Sequence, residues 1–230
     1  MTRRLRLVAI AVVASTGCFV LAGAAGAGSD RPLRVDFGDE RQARDEGFER
    51  IGSTVGAEST FVDGALRVEL ELGTAPLVPD PNGPPVRRYP DGVRVDTTVR
   101  LLEGPHDDVR AGVLCMTSEQ GADGFYAFFA EPDGEFSIVK WPPLGAPEVL
   151  EEGRRRPKRA DGPLTVAATC RPKGKALELV LVVHGDEVAR TVDRDPLDFD
   201  SQVGLVVEQP DAVTIEPVVA EFAKMRARAL

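Results

Sequence analysis

The feature that most constrains this chain is a hydrophobic period of two. Val93-Arg94-Val95-Asp96-Thr97-Thr98-Val99-Arg100-Leu101 alternates apolar and polar residues, the pattern of a strand with one buried face. Similar runs begin near Leu33, Ala65, Val109, Phe125, Glu135, Leu164, Ala176, Val188, Val203 and Val213. Asp63-Gly64, Asp133-Gly134, Gly185-Asp186 and Pro210-Asp211 separate them as turn signals. About eleven or twelve short strands at this spacing predict an all-β sandwich or barrel. Composition agrees: 43% hydrophobic residues supply a core, while 18 prolines and 23 glycines suit many turns. The proline-crowded stretch from Thr74 to Pro90 reads as a loop, because proline cannot donate to a ladder. Helix is confined to one short candidate near Glu40 to Glu49 and a turn at the C-terminus.

Ahead of the strands, Arg3, Arg4 and Arg6 precede an apolar run from Leu7 to about Ala27. A basic start, an apolar middle and the small-residue end Ala25-Gly26-Ala27 describe an export signal. The expected organisation is a signal peptide or membrane anchor over residues 1–27 and one domain over 28–230. Ser15-Thr16-Gly17-Cys18 also resembles the lipobox of bacterial lipoproteins, which makes Cys18 a candidate for lipidation. Cleavage, lipidation and an uncleaved anchor all place the domain outside the cytoplasm, with membrane association only through the N-terminal segment.

A formal net charge of −9 opposes a nucleic-acid partner, which requires a basic footprint. The chain has no C-x-x-C pair, and His106 and His184 are far apart, so neither a metal site nor a cofactor is expected. No G-x-S-x-G elbow and no phosphate-cradling loop is present. Arg154-Arg155-Arg156-Pro157-Lys158-Arg159 is a basic run that reads either as a dock for a polyanion or as a solvated loop tip balanced by Glu151 and Glu152.

From Val93 onward the order of features resembles the concanavalin A-like lectin/glucanase superfamily, in particular its bacterial laminin-G-like and keto-disaccharide-hydrolase-like extracellular modules. The resemblance is carried by Gly112-Val113-Leu114-Cys115, by the stretch from Tyr126 to Lys140, by Leu164 to Cys170, and by Leu177 to Gly185. Gly204 to Val207 and Val218 to Phe222 complete it, and Leu33 to Phe37 is similar to the first strand of those modules. It implies a two-sheet antiparallel jelly-roll sandwich. Glucanases of this superfamily carry their carboxylates as E-x-D-x-x-E, and this chain lacks that pattern, so no catalytic residue is assigned. Export, together with the matching cysteines of the relatives, predicts a disulfide between Cys115 and Cys170 on neighbouring strands; the alternative is two buried free thiols. The expected function is a non-catalytic extracytoplasmic module, carbohydrate-binding or structural in the cell envelope, with a glycan or an envelope component as partner. Its rivals are a glycosidase-like hydrolase with an unrecognised carboxylate site and a protein-interaction module.

Any ligand is placed by one predicted hairpin, residues 125–131 and 135–141 around Pro132-Asp133-Gly134. With Glu131 opposite Glu135, Tyr126, Phe128, Ala130, Phe136 and Ile138 share one face, assigned to the core. The opposite face carries Phe125, Phe129, Val139 and Trp141 with Ser137 and Glu135 beside them. Aromatic rings of this kind bury much area at low entropy cost and suit the apolar faces of sugars. The candidate ligand-binding residues are therefore Trp141, Phe129, Phe125 and Ser137. The alternative is that the N-terminal segment or the proline-rich loop covers these rings.

Overall fold

A computed structural model describes residues 32–48, 57–71, 73–77, 88–103, 109–116, 124–155, 162–198, 202–209 and 217–230. Cys18, His106, the turn signal Pro210-Asp211, the strand start at Val213 and most of the basic run lie outside these residues. Among the described residues there are fourteen strands and one short helix. They are β1 (Leu33–Asp36), α1 (Glu40–Asp45), β2 (Ala57–Val62), β3 (Ala65–Leu70), β4 (Gly73–Leu77), β5 (Val93–Glu103), β6 (Arg110–Met116) and β7 (Phe125–Ala130). β8 (Glu135–Trp141), β9 (Glu148–Arg154), β10 (Leu164–Lys173), β11 (Ala176–Val183), β12 (Asp186–Asp193), β13 (Gln202–Gln209) and β14 (Val218–Ala229) follow. None of the described helices is long and apolar enough to cross a membrane.

The strands form two antiparallel sheets. The larger runs β12-β11-β10-β5-β14-β3-β2, with β1 also paired to β14, and the smaller runs β4-β13-β6-β7-β8-β9. Packed face to face they make an antiparallel jelly-roll sandwich, one of the two architectures the alternation predicts and the one the resemblance implies. On β5, Val93, Val95 and Val99 are buried between the sheets, while Arg94, Asp96 and Thr98 are not. Thr97 also points inward, and its hydroxyl donates to the Lys224 carbonyl at 2.7 Å, so no polar group is stranded there. Beside the N-terminal strand, the short α1 is capped by Asp39, whose carboxylate accepts from the Gln42 N–H at 3.1 Å.

Three expectations need correction. The C-terminal turn is strand, since β14 runs to Ala229 and pairs with β5 along its length. Thr74 to Leu77 is strand rather than loop, because β4 is an edge strand paired only with β13, and an edge tolerates Pro76. Cys115 and Cys170 are bridged, with Cα atoms 6.8 Å apart, within the usual range. However, they lie on β6 and β10 and so join the two sheets, not adjacent strands of one. Both side chains point into the core, where face-to-face packing rather than strand pairing brings them together.

A buried polar cluster fixes the passage from β12 to β13. The Tyr126 hydroxyl donates to Asp193 Oδ2 at 2.8 Å and accepts from the Leu197 N–H at 2.8 Å. Lys140 Nζ ion-pairs with Asp193 at 2.9 Å and donates to the Asp195 carbonyl. Burial alone would push the Asp193 carboxyl up, but donation from Lys140, Tyr126 and the Asp195 N–H outweighs it and holds the group below its ordinary value. Burial pushes the Tyr126 phenol well up. The cluster ties the edge of the larger sheet to β7 and β8 of the smaller.

Candidate functional site

The β7–β8 hairpin organises the outward face of the smaller sheet. Asp133 Oδ1 accepts the Glu135 N–H at 3.0 Å, and Gly134 supplies the positive φ of +96° that this turn needs. The Glu131 N–H donates to the Glu135 carbonyl at 2.9 Å, and the pairs Ala130–Phe136, Phe128–Ile138 and Phe125–Trp141 follow in register. Since a slip of one residue would exchange the faces, this turn decides which rings point outward. Tyr126, Phe128, Ala130 and Ile138 enter the inter-sheet core, with Phe136 packed against it. Phe129 and Val139 join Leu114, Ala127 and Val206 in a second apolar cluster on the opposite face, flanked by Phe125 and Trp141. At Gly112, beside Phe129 on the neighbouring strand, a Cβ would fall 1.8 Å from the Phe128 carbonyl oxygen. Only glycine permits the approach.

One end of this face is charged. Cross-strand registers align Glu208 with Arg110 and Glu135 with Arg154. Arg110 Nε donates to Glu208 Oε2 at 2.7 Å, an Nη donates to Ser137 Oγ at 3.0 Å, and the guanidinium lies 4.5 Å over the Phe129 ring. Phe129 is thus buried beneath Arg110, and Ser137 is buried as that arginine's acceptor. Beside them opens a cleft of about 440 Å³ lined by residues that include Arg110, Glu131, Glu135, Ser137, Glu152 and Arg154. Carboxylate oxygens of Glu131, Asp133 and Glu135 lie within 4.8 Å of one another, the spacing of metal ligands. Arg154 ion-pairs with Asp133 and, at 3.6 Å, with Glu135, so two of the three already face a cation.

The other end is aromatic. Phe125 and Trp141 stack with centroids 5.6 Å apart and planes 13° from parallel, and both keep partial exposure. Trp141 Nε1 is buried and has no hydrogen-bond partner among the described residues. So is Nε2 of Gln202, a residue only 2% exposed. Gln202 faces outward because its neighbour Val203 enters the core. Of the four candidate ligand residues, Phe125 and Trp141 therefore adjoin each other at this end, while Phe129 and Ser137 lie beneath or against Arg110 nearer the charged end.

Sequence reasoning found the hairpin and its aromatics but not Arg110, Glu208 or Gln202, which only pairing across strands brings to the same face. His184 occupies a turn with a φ of +51°. It lines a small cavity of about 50 Å³ at the margin between the sheets.

No family model and no curated protein matches the chain. Among solved structures it is similar to a sialidase at a TM-score of 0.54 and 13% identity, covering 88% of this chain and 19% of that one. The chain thus spans less than a fifth of the sialidase, whose coverage is 19%. It is similar to the carbohydrate recognition domain of Emp46p at a TM-score of 0.51 and 14% identity, covering 77% of this chain and 88% of that one. A functionally unknown protein from Saccharomyces cerevisiae is similar at a TM-score of 0.50 and 10% identity, covering 81% and 98%. At such identities the likeness shows the fold, a jelly-roll sandwich, and no more.

Proposed function

We propose that this chain is an exported, non-catalytic carbohydrate-binding module of the cell envelope, akin to the laminin-G-like group within its superfamily. In this reading residues 1–27 direct export, residues 28–230 form the binding domain, and the partner is a glycan outside the cytoplasm. One observation carries the reading: the stacked, partly exposed Phe125 and Trp141 on a sheet face turned away from the inter-sheet core. Aromatic surface is costly to leave beside water, and its flat apolar faces suit the C–H faces of pyranose rings. The fold shared with a carbohydrate recognition domain is consistent with this reading.

The test is a glycan array probed with the purified protein, paired with Trp141→Ala. Binding by the native protein, lost in the variant while circular dichroism stays unchanged, supports the reading. An array with no bound glycan, or binding indifferent to Trp141, overturns it. Export is tested separately by mass spectrometry of the native protein. An N-terminus at Gly28 fits cleavage, a lipid on Cys18 replaces it with the lipoprotein form, and an intact Met1 in a membrane fraction supports an anchor.

A further inference from the structure

The outward face of the larger sheet is charged unevenly. Toward one edge Arg67 pairs with Glu221 at 2.7 Å, and toward the other Lys173 and Arg190 meet Glu178. Between them, on β1, β14 and β5, the registers set Arg34 opposite Arg226 and Arg228 opposite Arg94. All four point outward, because Leu33, Val35, Val93, Val95, Met225 and Ala227 alternate with them into the core. Arg34, Arg226 and Arg228 are exposed and Arg94 partly so. Among the described residues none of the four holds an ion pair or a side-chain hydrogen bond. Like charges directly opposite across a ladder destabilise a sheet, and a chain of net charge −9 has carboxylates in excess for matching them. Unmatched arginines gathered on neighbouring strands therefore call for an anion from outside the chain. We infer that this face docks the protein on an anionic phospholipid membrane, with the guanidiniums on headgroup phosphates.

The shape of the patch selects a membrane. Strands lie about 4.8 Å apart and same-face residues about 6.8 Å apart along each, so the charges spread over a plane. Guanidiniums are planar forks that take phosphate oxygens two at a time. The outward positions of β1, β14 and β5 carry no aromatic ring on which a sugar could stack. The acids beside the arginines are Asp36, whose Oδ1 accepts the Gly38 N–H at 2.9 Å, and Asp96, opposite Arg226. Position agrees with chemistry. β1, which carries Arg34, begins just after the apolar run from Leu7 to about Ala27. A chain held by that run, or by a lipid on Cys18, would present this face to the bilayer. The net charge of −9 repels an anionic surface from the other sides and so turns the arginines toward it. The stacked Phe125 and Trp141, outward on the other sheet, then face away from the membrane.

Labelling with phenylglyoxal, read arginine by arginine by mass spectrometry, tests the inference on the native protein whatever the state of its N-terminus. Vesicles of phosphatidylcholine with phosphatidylglycerol should slow the labelling of Arg34, Arg226 and Arg228, while phosphatidylcholine alone should not. Arg154 and Arg190 should label equally with both. For protein cleaved ahead of Gly28, vesicle sedimentation adds a second measure. Arg34→Gln and Arg228→Gln should each weaken attachment to the anionic vesicles about fivefold, and about 1 M salt should release the native protein. Each variant ends a like-charge opposition, so Tm should hold or rise, whereas a structural role for the arginine would lower it. Equal labelling of the three arginines on both vesicles, or variants that attach like the native protein, overturns the inference. Retention on polygalacturonate without attachment to vesicles would assign the face to an acidic polysaccharide and overturn it equally. Neither result touches the glycan-binding reading, which rests on the other sheet.

Discussion

The two sheets turn very different outward faces to their surroundings. On the larger sheet, Glu178 is only 5% exposed yet is met by Lys173 at 2.6 Å, Arg190 at 2.9 Å and Arg171 at 3.7 Å. Arg190 in turn pairs with Glu187 at 2.8 Å. Charge there is matched locally, and the long side chains shield the strand beneath them. The smaller sheet carries buried Leu114, Phe129, Val139 and Val206 on its outward face, with two buried N–H donors that meet no acceptor among the described residues. Around Glu178 one face is finished as a surface. The other is, among the described residues, a buried apolar cluster with Arg110 over Phe129 and flanked by Phe125 and Trp141.

Removing what holds both faces alike gives the largest expected effect and the baseline for the comparison. Cys115→Ala with Cys170→Ala opens a covalent loop of sequence separation 55, worth about 4 kcal/mol in the chain-entropy account. That is a fall in Tm of about 8–16 °C for a domain of this size, with glycan affinity below the Tm unchanged. A change in affinity larger than the loss of folded protein would mean that the outward face depends on the inter-sheet spacing.

Phe129→Ala addresses the smaller face alone. Truncating a buried phenylalanine costs about 3 kcal/mol or more, and here Arg110 also loses the ring that it covers at 4.5 Å. Chemical denaturation should show this loss as a lower midpoint with an unchanged slope. A loss below about 1 kcal/mol would mean that the face behaves as ordinary surface, and the contrast with the larger sheet would disappear.

How far the sequence revealed these two faces follows from the kind of contact involved. The division of Phe125, Phe129, Val139 and Trp141 from Tyr126, Phe128 and Ile138 is legible because one turn, Pro132-Asp133-Gly134, fixes the register and the alternation does the rest. The cysteine pair is legible through the export signal and the matching cysteines of the modules that the chain resembles. β4 is hidden because its edge position, which excuses Pro76, is a property of the assembled sheet. β2 is hidden because Glu58-Ser59-Thr60 breaks the apolar alternation. Arg110 reaches Phe129 only once β6 and β7 are paired, and Tyr126 reaches Asp193, at a sequence separation of 67, only through packing between the sheets. Gln202 opens a run whose every residue is buried, and nothing local marks it as a donor without an acceptor.

A pH titration separates the buried cluster from the surface one. The folded Asp193 carboxyl sits below its ordinary value, so its stabilisation is fully present above the unfolded value near pH 4 and is lost as pH falls through the folded value. Asp193→Asn should lower Tm at pH 7, because Lys140 loses its buried counter-ion, and should flatten the decline of Tm on acidification. A variant whose acid limb matches that of the native protein would place the acid sensitivity elsewhere.

The smallest effect belongs to the larger sheet. Donation from Lys173, then from Arg190, holds the Glu178 carboxyl below its ordinary value despite burial, so its contribution too is present near neutrality and lost in acid. Its partners, however, are half in water, with Lys173 51% and Arg190 48% exposed, and ion pairs of that kind contribute little and are screened by salt. Glu178→Gln should therefore shift Tm less than Asp193→Asn at low ionic strength, and the shift should shrink further in about 1 M salt, where screening acts within about 3 Å. Arg190 keeps Glu187 as a partner in the variant, which limits the loss again. A large decrease that salt leaves untouched would mean that the network is shielded from solvent in the intact protein. The larger sheet would then also carry a covered face, and the contrast between the two faces would have to be redrawn.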